Sequence, residues 1–384
     1  MNCLSDNAQL ALDTINRVPA RGIPVFTTHI MEHSVIEHFA GTGPGSYAHD
    51  PHGVYVRMLD KIGVCMVDQY IADNPLTMGS HGYDDANALS WGAPVEAVVR
   101  DGILIDSPEA VAEHIERVCI PHIQNAIRDF DAAATREAVV ENERETQRRL
   151  GPDILKTGYA HLGFPNLGYT YYGYENYFAA FALYPEVIGR CFAAQADFYA
   201  LRNAAVVDAF KEAGLPLYSR LDHDMADSRG LLTGMKALET HWLPNFERSI
   251  RPAADAGFRL LWHCDGNLTE LVPHLIECGV NGFQGFQYED GMDYKKICAM
   301  KDREGEGLVI VAGISVTREL PMGTPADVRR QADFLVENGP RTGLFLSFSS
   351  SCVPGTPLRN IETAVEAMRH YRKHGRNGGR GVQC

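Results

Sequence analysis

A chain of 384 residues with 45% hydrophobic and 22% charged residues has the balance of a soluble globular protein, long enough for one large barrel or two ordinary domains. A formal net charge of -14 without a Lys/Arg stripe argues against a nucleic-acid partner, because phosphate binding needs a basic face. No apolar stretch nears the roughly 18 to 20 residues of a membrane span, and nine scattered cysteines without CxxC pairs read as reduced thiols of a cytoplasmic protein.

Residues 1–22 form a lead-in with one short helix, and their opening lacks the basic and apolar regions of a signal peptide. IPVFTTH (23–29) is a strand candidate, with His29, Glu32 and His33 just past its end. GVCMVD (63–68) is a second strand, tipped by Asp68. Residues 74–150 read as an irregular and helical insertion. VEAVVRDGILI within it suits a hairpin, Ser107-Pro108 opens a helix, and a charged, Ala-rich helix covers about 121–150.

LKTGYAHLG (155–163) is the third strand, with Tyr159 and His161 at its end. NLGYTYYGYENYFAAF then packs seven aromatics into sixteen residues, and a Gly-containing loop of this kind, with Tyr172 and Tyr174, suits a pocket wall. A helix over 185–213 leads to PLYSRLDHD (216–224), a strand ending in Asp222, His223 and Asp224. The next strand is RLLWHCDG (259–266). Alternation places His263 and Asp265 on one face and Cys264 on the other. His263 and Asp265 suit either a metal pair or a hydrogen-bonded acid/base pair.

The strands GFQGFQ (282–287), GLVIVAGIS (307–315) and GLFLSFSSS (343–351) follow, each with a helix after it. They end near Gln287 and Glu289, and near Ser349 and Cys352. The eight strands and their helices predict a (β/α)8 TIM barrel over 23–374, with a flexible tail at 375–384. An open doubly wound sheet would bring a Gly-rich phosphate turn after its first strand, and GTGPGS (41–46) follows a helical pattern instead. Polar residues end nearly every strand, where barrel active sites lie. His263, Asp265 and Cys352 are zinc-type ligands that converge only if the barrel closes.

WHCDGN (262–267), GVNGFQGFQYEDGMD (279–293), VAGISVTRELPMGTPADVRR (311–330) and SSSCVPGTPLRNIETAVEAMRHY (349–371) resemble the uroporphyrinogen decarboxylase superfamily, and within it the cobamide-dependent methyltransferases. The resemblance implies a TIM barrel. It also implies zinc held by a His-x-Cys pair and a later Cys, with His263 matching the His, Cys352 the later Cys, and Asp265 standing where the first Cys would be. The Arg-rich stretch that holds carboxylates in the decarboxylases is absent from TTHIMEHS, which disfavours decarboxylation. The implied activity is the first half of an O-demethylase: a methyl group passes from a methoxylated, aromatic small molecule to a corrinoid (cobalamin) on a separate protein. Asp222, His223, Asp224 and Glu289 are its candidate acid/base residues. His29, Asp68, Tyr159, His161, Tyr172 and Tyr174 are its candidate substrate contacts. The competing readings are a methylcobamide:thiol (coenzyme M-like) methyltransferase, a metal-free decarboxylase and a non-catalytic binding protein.

Overall fold

Eight apolar runs become parallel strands in the computed structural model, which describes residues 4–72, 98–286 and 288–376, with only the backbone at Val98 and Glu289. They are β1 (Val25–Phe26), β2 (Val64–Val67), β3 in two pieces (Leu155–Lys156 and Gly158–Tyr159), β4 (Tyr218–Asp222), β5 (Arg259–His263), β6 (Gly282–Gln284), β7 (Val309–Ile314) and β8 (Leu344–Phe348). The first piece of β3 pairs with β2 and the second with β4. The remaining neighbours run β2-β1-β8-β7-β6-β5-β4, so the sheet closes on itself through β3. This is the (β/α)8 barrel that the strand count predicts.

The helices between the strands cover the outside. Several begin as local chemistry dictates: Ser107 caps Pro108–His114, and Thr324 and Asp327 form a reciprocal capping box at Pro325–Asn338. Two features depart from the reading of the sequence. A further helix, Pro51–Ile62, lies between β1 and β2, started by an Asp50 cap and Pro51 at its first position. The long charged helix is two, Ile120–Arg128 and Ala132–Leu150, because the Asp131 side chain accepts from the backbone of Ala133 and Ala134 and restarts it. Val98–Arg100 and Ile103–Ile105 form an antiparallel hairpin, and the start of the expected hairpin, 95–97, lies outside the described residues. No described helix is long and apolar enough to cross a membrane.

Register decides which side chains enter the barrel. Asp222, His263 and Gln284 stand opposite one another on β4, β5 and β6, and Arg220 stands opposite Leu261 and Gly282 one layer below. Because side chains alternate, all of these face inward. The lower interior is apolar: Phe26, Met66, Leu155, Tyr218, Leu261, Val309 and Phe345 pack with Ala8, Ala11 and Ile15 of the helix Asp6–Ile15. That helix seals the end where the strands begin, with the Asn7 amide donating to the Val64 carbonyl at 2.9 Å. The interior turns polar toward the other end.

Candidate active site

Arg220 is the centre of the polar layer. Its side chain is only 3% exposed, and its Nε lies 2.8 Å from Asp68 Oδ2. Another nitrogen lies 3.4 Å from Asp222 Oδ2, and a third donates to Gln69 Oε1 at 2.8 Å. The guanidinium carbon sits 4.5 Å from the centre of the Tyr159 ring, and the Tyr159 hydroxyl donates to Asp222 at 3.2 Å. Burial alone would push the Asp222 carboxyl up, but the fields of His263 and Arg220 and the Tyr159 hydrogen bond outweigh it and hold it below its usual range. Solvent still reaches Asp222, whose side chain is 32% exposed.

His263 and Asp265 follow on the same side. Their closest nitrogen and oxygen are 3.9 Å apart, and the Ser350 hydroxyl donates to Asp265 Oδ2 at 3.3 Å. The backbone N–H of Asp265 donates to Asp224 Oδ1 at 3.0 Å, which brings two carboxylates together. Burial first, and then the Asp265 charge, raise the Asp224 carboxyl above its usual range. His29 completes the group: burial, then Arg220 and His263, push it down to about 3, so it is neutral.

Four buried polar atoms here have no hydrogen-bond partner: His29 Nε2, His263 Nδ1, Asp265 Oδ1 and Gln284 Oε1. Buried polar atoms are normally satisfied. Their collection at the C-terminal ends of barrel strands marks the place where a ligand's polar groups belong.

The third expected zinc ligand does not join this group. The Cys352 thiol is buried, accompanied by Thr356 and Glu32, and burial pushes it up to about 12. Among the described residues no three His, Cys, Asp or Glu side chains are placed to hold a metal ion. The set His263, Asp265 and Cys352 therefore does not fit zinc as arranged. Cys264 turns away from His263, as alternation predicts, and its sulfur accepts from the Met225 N–H at 3.3 Å.

Several predicted contacts lie elsewhere. His223 points to the opposite side from Asp222, accepts from the Leu167 N–H at 2.9 Å and stacks on Tyr169. Its burial pushes it down to about 4, so it is a neutral packing residue. His161 meets Glu143 at 2.8 Å on the helix Ala132–Leu150, where Lys156 also binds, outside the strand layer. The Tyr172 hydroxyl is committed to His114 at 2.9 Å and Cys119 at 3.1 Å. Tyr174 packs against Tyr169 with ring centres 4.5 Å apart, and the Tyr169 hydroxyl donates to the Asp224 carbonyl at 2.8 Å, so this pair flanks the strand end. Gln287 and the Glu289 side chain lie outside the described residues.

Sequence reasoning passed over Arg220, Gln284 and Ser350, and it took in Tyr169 only as part of the aromatic stretch that suits a pocket wall. Arg220 carried a signal: an arginine two residues before Asp222 in a strand shares its face.

No protein family and no curated protein matches the chain. Among solved structures, a methyltransferase from Methanosarcina mazei is similar over 95% of this chain and 98% of that chain, with 16% identity and a TM-score of 0.55. A B12-independent methionine synthase from Shewanella sp. W3-18-1, in complex with selenomethionine, overlaps 60% of this chain and 66% of its own, with 10% identity and a TM-score of 0.37. At such identities the first likeness shows the fold, a (β/α)8 barrel.

Proposed function

We propose that this chain is a methyltransferase that holds a small-molecule methyl donor in the barrel mouth and presents its methyl group to an external acceptor. The observation that carries the reading is the group of unpartnered buried atoms on His29, His263, Asp265 and Gln284, set at the strand ends of the barrel. The likeness to a methyltransferase over nearly the full length of both chains supports it. The sequence resemblance assigns the acceptor to a corrinoid on a separate protein, and we retain that assignment.

The chain's own residues bind and orient. Asp68 and Gln69 fix Arg220, which together with Tyr159 fixes the Asp222 carboxylate in its ionised form. His29 and His263 offer ring nitrogens, and Gln284 an amide oxygen, to the donor. Holding the donor in one pose turns an encounter into an oriented, effectively unimolecular approach. No step is assigned to zinc, because the predicted ligands are not assembled.

The test is methylation of cobalt(I) cobalamin by the purified chain across a panel of methyl donors, with His263→Ala and Asp222→Asn beside it. Methylation that falls at least about 100-fold in both variants supports the reading. Undiminished methylation in both, or none with any donor class, overturns it.

A further inference from the structure

We infer that the methyl donor is an onium cation, a methylated ammonium or sulfonium group, rather than a neutral ether. The inference rests on the methyltransferase reading of the mouth and names its substrate class.

The charge of the mouth carries the argument. Asp68 and Asp222 meet there at Arg220, and Asp224 is acted on by Asp265, His263 and Asp222. Among the described residues, Arg220 is the one permanent positive charge paired with these carboxylates. Arg229, farther along the same loop, is bound to Asp227 at 2.6 Å and offers none. His29 is neutral. With His263 charged the group sums to two negative charges, and with His263 neutral to three. If Asp224 also holds a proton, the mouth remains negative in either case. Asp68 is buried and paired with Arg220, whereas Asp222, Asp224 and Asp265 reach solvent, share no full counter-charge and repel one another, and a bound cation is the ligand that offsets this.

A second observation is independent of the carboxylates. His263, 8% exposed, keeps a buried ring nitrogen without a partner, and Gln284, 6% exposed, keeps an amide oxygen without one. The site is therefore built around something absent from the protein itself. An aromatic face is also at hand. Tyr159 already carries the Arg220 guanidinium and Tyr169 is stacked by His223 and Phe178, but Tyr174, 37% exposed, stands beside Asp224. Such a face attracts alkylated cations, which cannot use a conventional hydrogen bond.

The chemistry agrees. In the transfer, the acceptor's electron pair forms the new bond to the methyl carbon, and the pair of the broken C–N or C–S bond stays on the donor heteroatom. An onium donor then leaves as a neutral amine or thioether and needs no proton. An ether would leave as an anion among carboxylates, against their repulsion.

The experiment is calorimetric titration of the full chain with choline, with trimethylsulfonium, and with the uncharged isostere of choline in which a tert-butyl group replaces trimethylammonium. Choline or trimethylsulfonium binding at least about tenfold more tightly than the isostere is expected. The preference shrinks in Asp265→Asn, whose fold is checked by circular dichroism. The stronger of the two cations identifies nitrogen or sulfur as the donor atom. Equal or tighter binding of the isostere, or of an aryl methyl ether such as anisole, overturns the inference. Preferential binding of a cation together with no methyl transfer from any donor class would instead overturn the methyltransferase reading, so the two failures are distinguishable.

Discussion

Arg220 and Asp68 form an ion pair at 2.8 Å in which neither side chain reaches solvent to any useful extent. It joins β4 to the end of β2 across the barrel interior, and it sets the orientation of Asp222. Removing one partner strands the other as a buried charge. Arg220→Met alone is therefore expected to cost about 3–5 kcal/mol, read from the urea midpoint. The double variant Arg220→Met with Asp68→Leu should recover part of that stability while activity stays lost, because Asp222 has still lost its anchor. A single variant as stable as the unsubstituted protein would show that the pair is hydrated rather than buried.

His223 links stability to pH. It is neutral in the fold, accepting from the Leu167 N–H, and burial holds it at about 4 against an ordinary value of 6.5. A group lowered on folding contributes stability above its unfolded value and loses it as pH falls. Between pH 6.5 and about 4 the unfolded chain takes up a proton that the folded chain refuses, so stability declines across that window. Urea unfolding at a series of pH values should show this decline, with a shallower slope in His223→Gln. An unchanged slope in that variant would remove His223 as its source.

Cys352 offers a direct check on the metal expectation. Its thiol is buried near Thr356 and Glu32, away from the His263 and Asp265 pair. Cys352→Ser should therefore leave the zinc content of the purified protein as it is in the unsubstituted chain. Zinc that binds the unsubstituted protein and is lost from this variant would mean that the thiol turns toward the pair. The three-ligand site read from the sequence would then be restored.

How much of this was legible beforehand follows from the range over which alternation holds. Within β5 and one or two residues past it, alternation separates His263 and Asp265 from Cys264, as the structure shows. Applied to 222–224, the same rule separates His223 from its neighbours, yet a polar triplet at a strand end reads as a single group. His161 lies beyond the end of β3, which breaks at Thr157, and Tyr172 ends the short helix Tyr169–Tyr172, so strand parity no longer predicts direction. Their partners, Glu143 and His114, lie 18 and 58 residues away, respectively. Arg220 was hidden for another reason: its burial makes sense only once β2 brings Asp68 beside it. Closure of the barrel itself was readable, because it needs only a count of apolar runs and the helices between them.

Gly285 supplies the last prediction. It follows β6 with φ +77, a left-handed conformation that side chains rarely adopt, and a Cβ there would lie 3.0 Å from His263 Nδ1 and 3.3 Å from the Ser349 carbonyl. Gly285→Ala therefore acts twice. It strains the backbone by about 1–2 kcal/mol, and it displaces the His263 ring by a few tenths of an ångström. The ring has little room to yield, since its residue is 8% exposed. Methyl transfer should consequently fall by about 10-fold or more, because small misplacements of orienting groups are costly, while the protein still unfolds in one cooperative transition. Gly305, also left-handed at φ +82 but with open space around it, is the control: Gly305→Ala should show similar backbone strain with unchanged methyl transfer. Equal activity in the two variants would mean that the position of the His263 ring does not matter to the reaction.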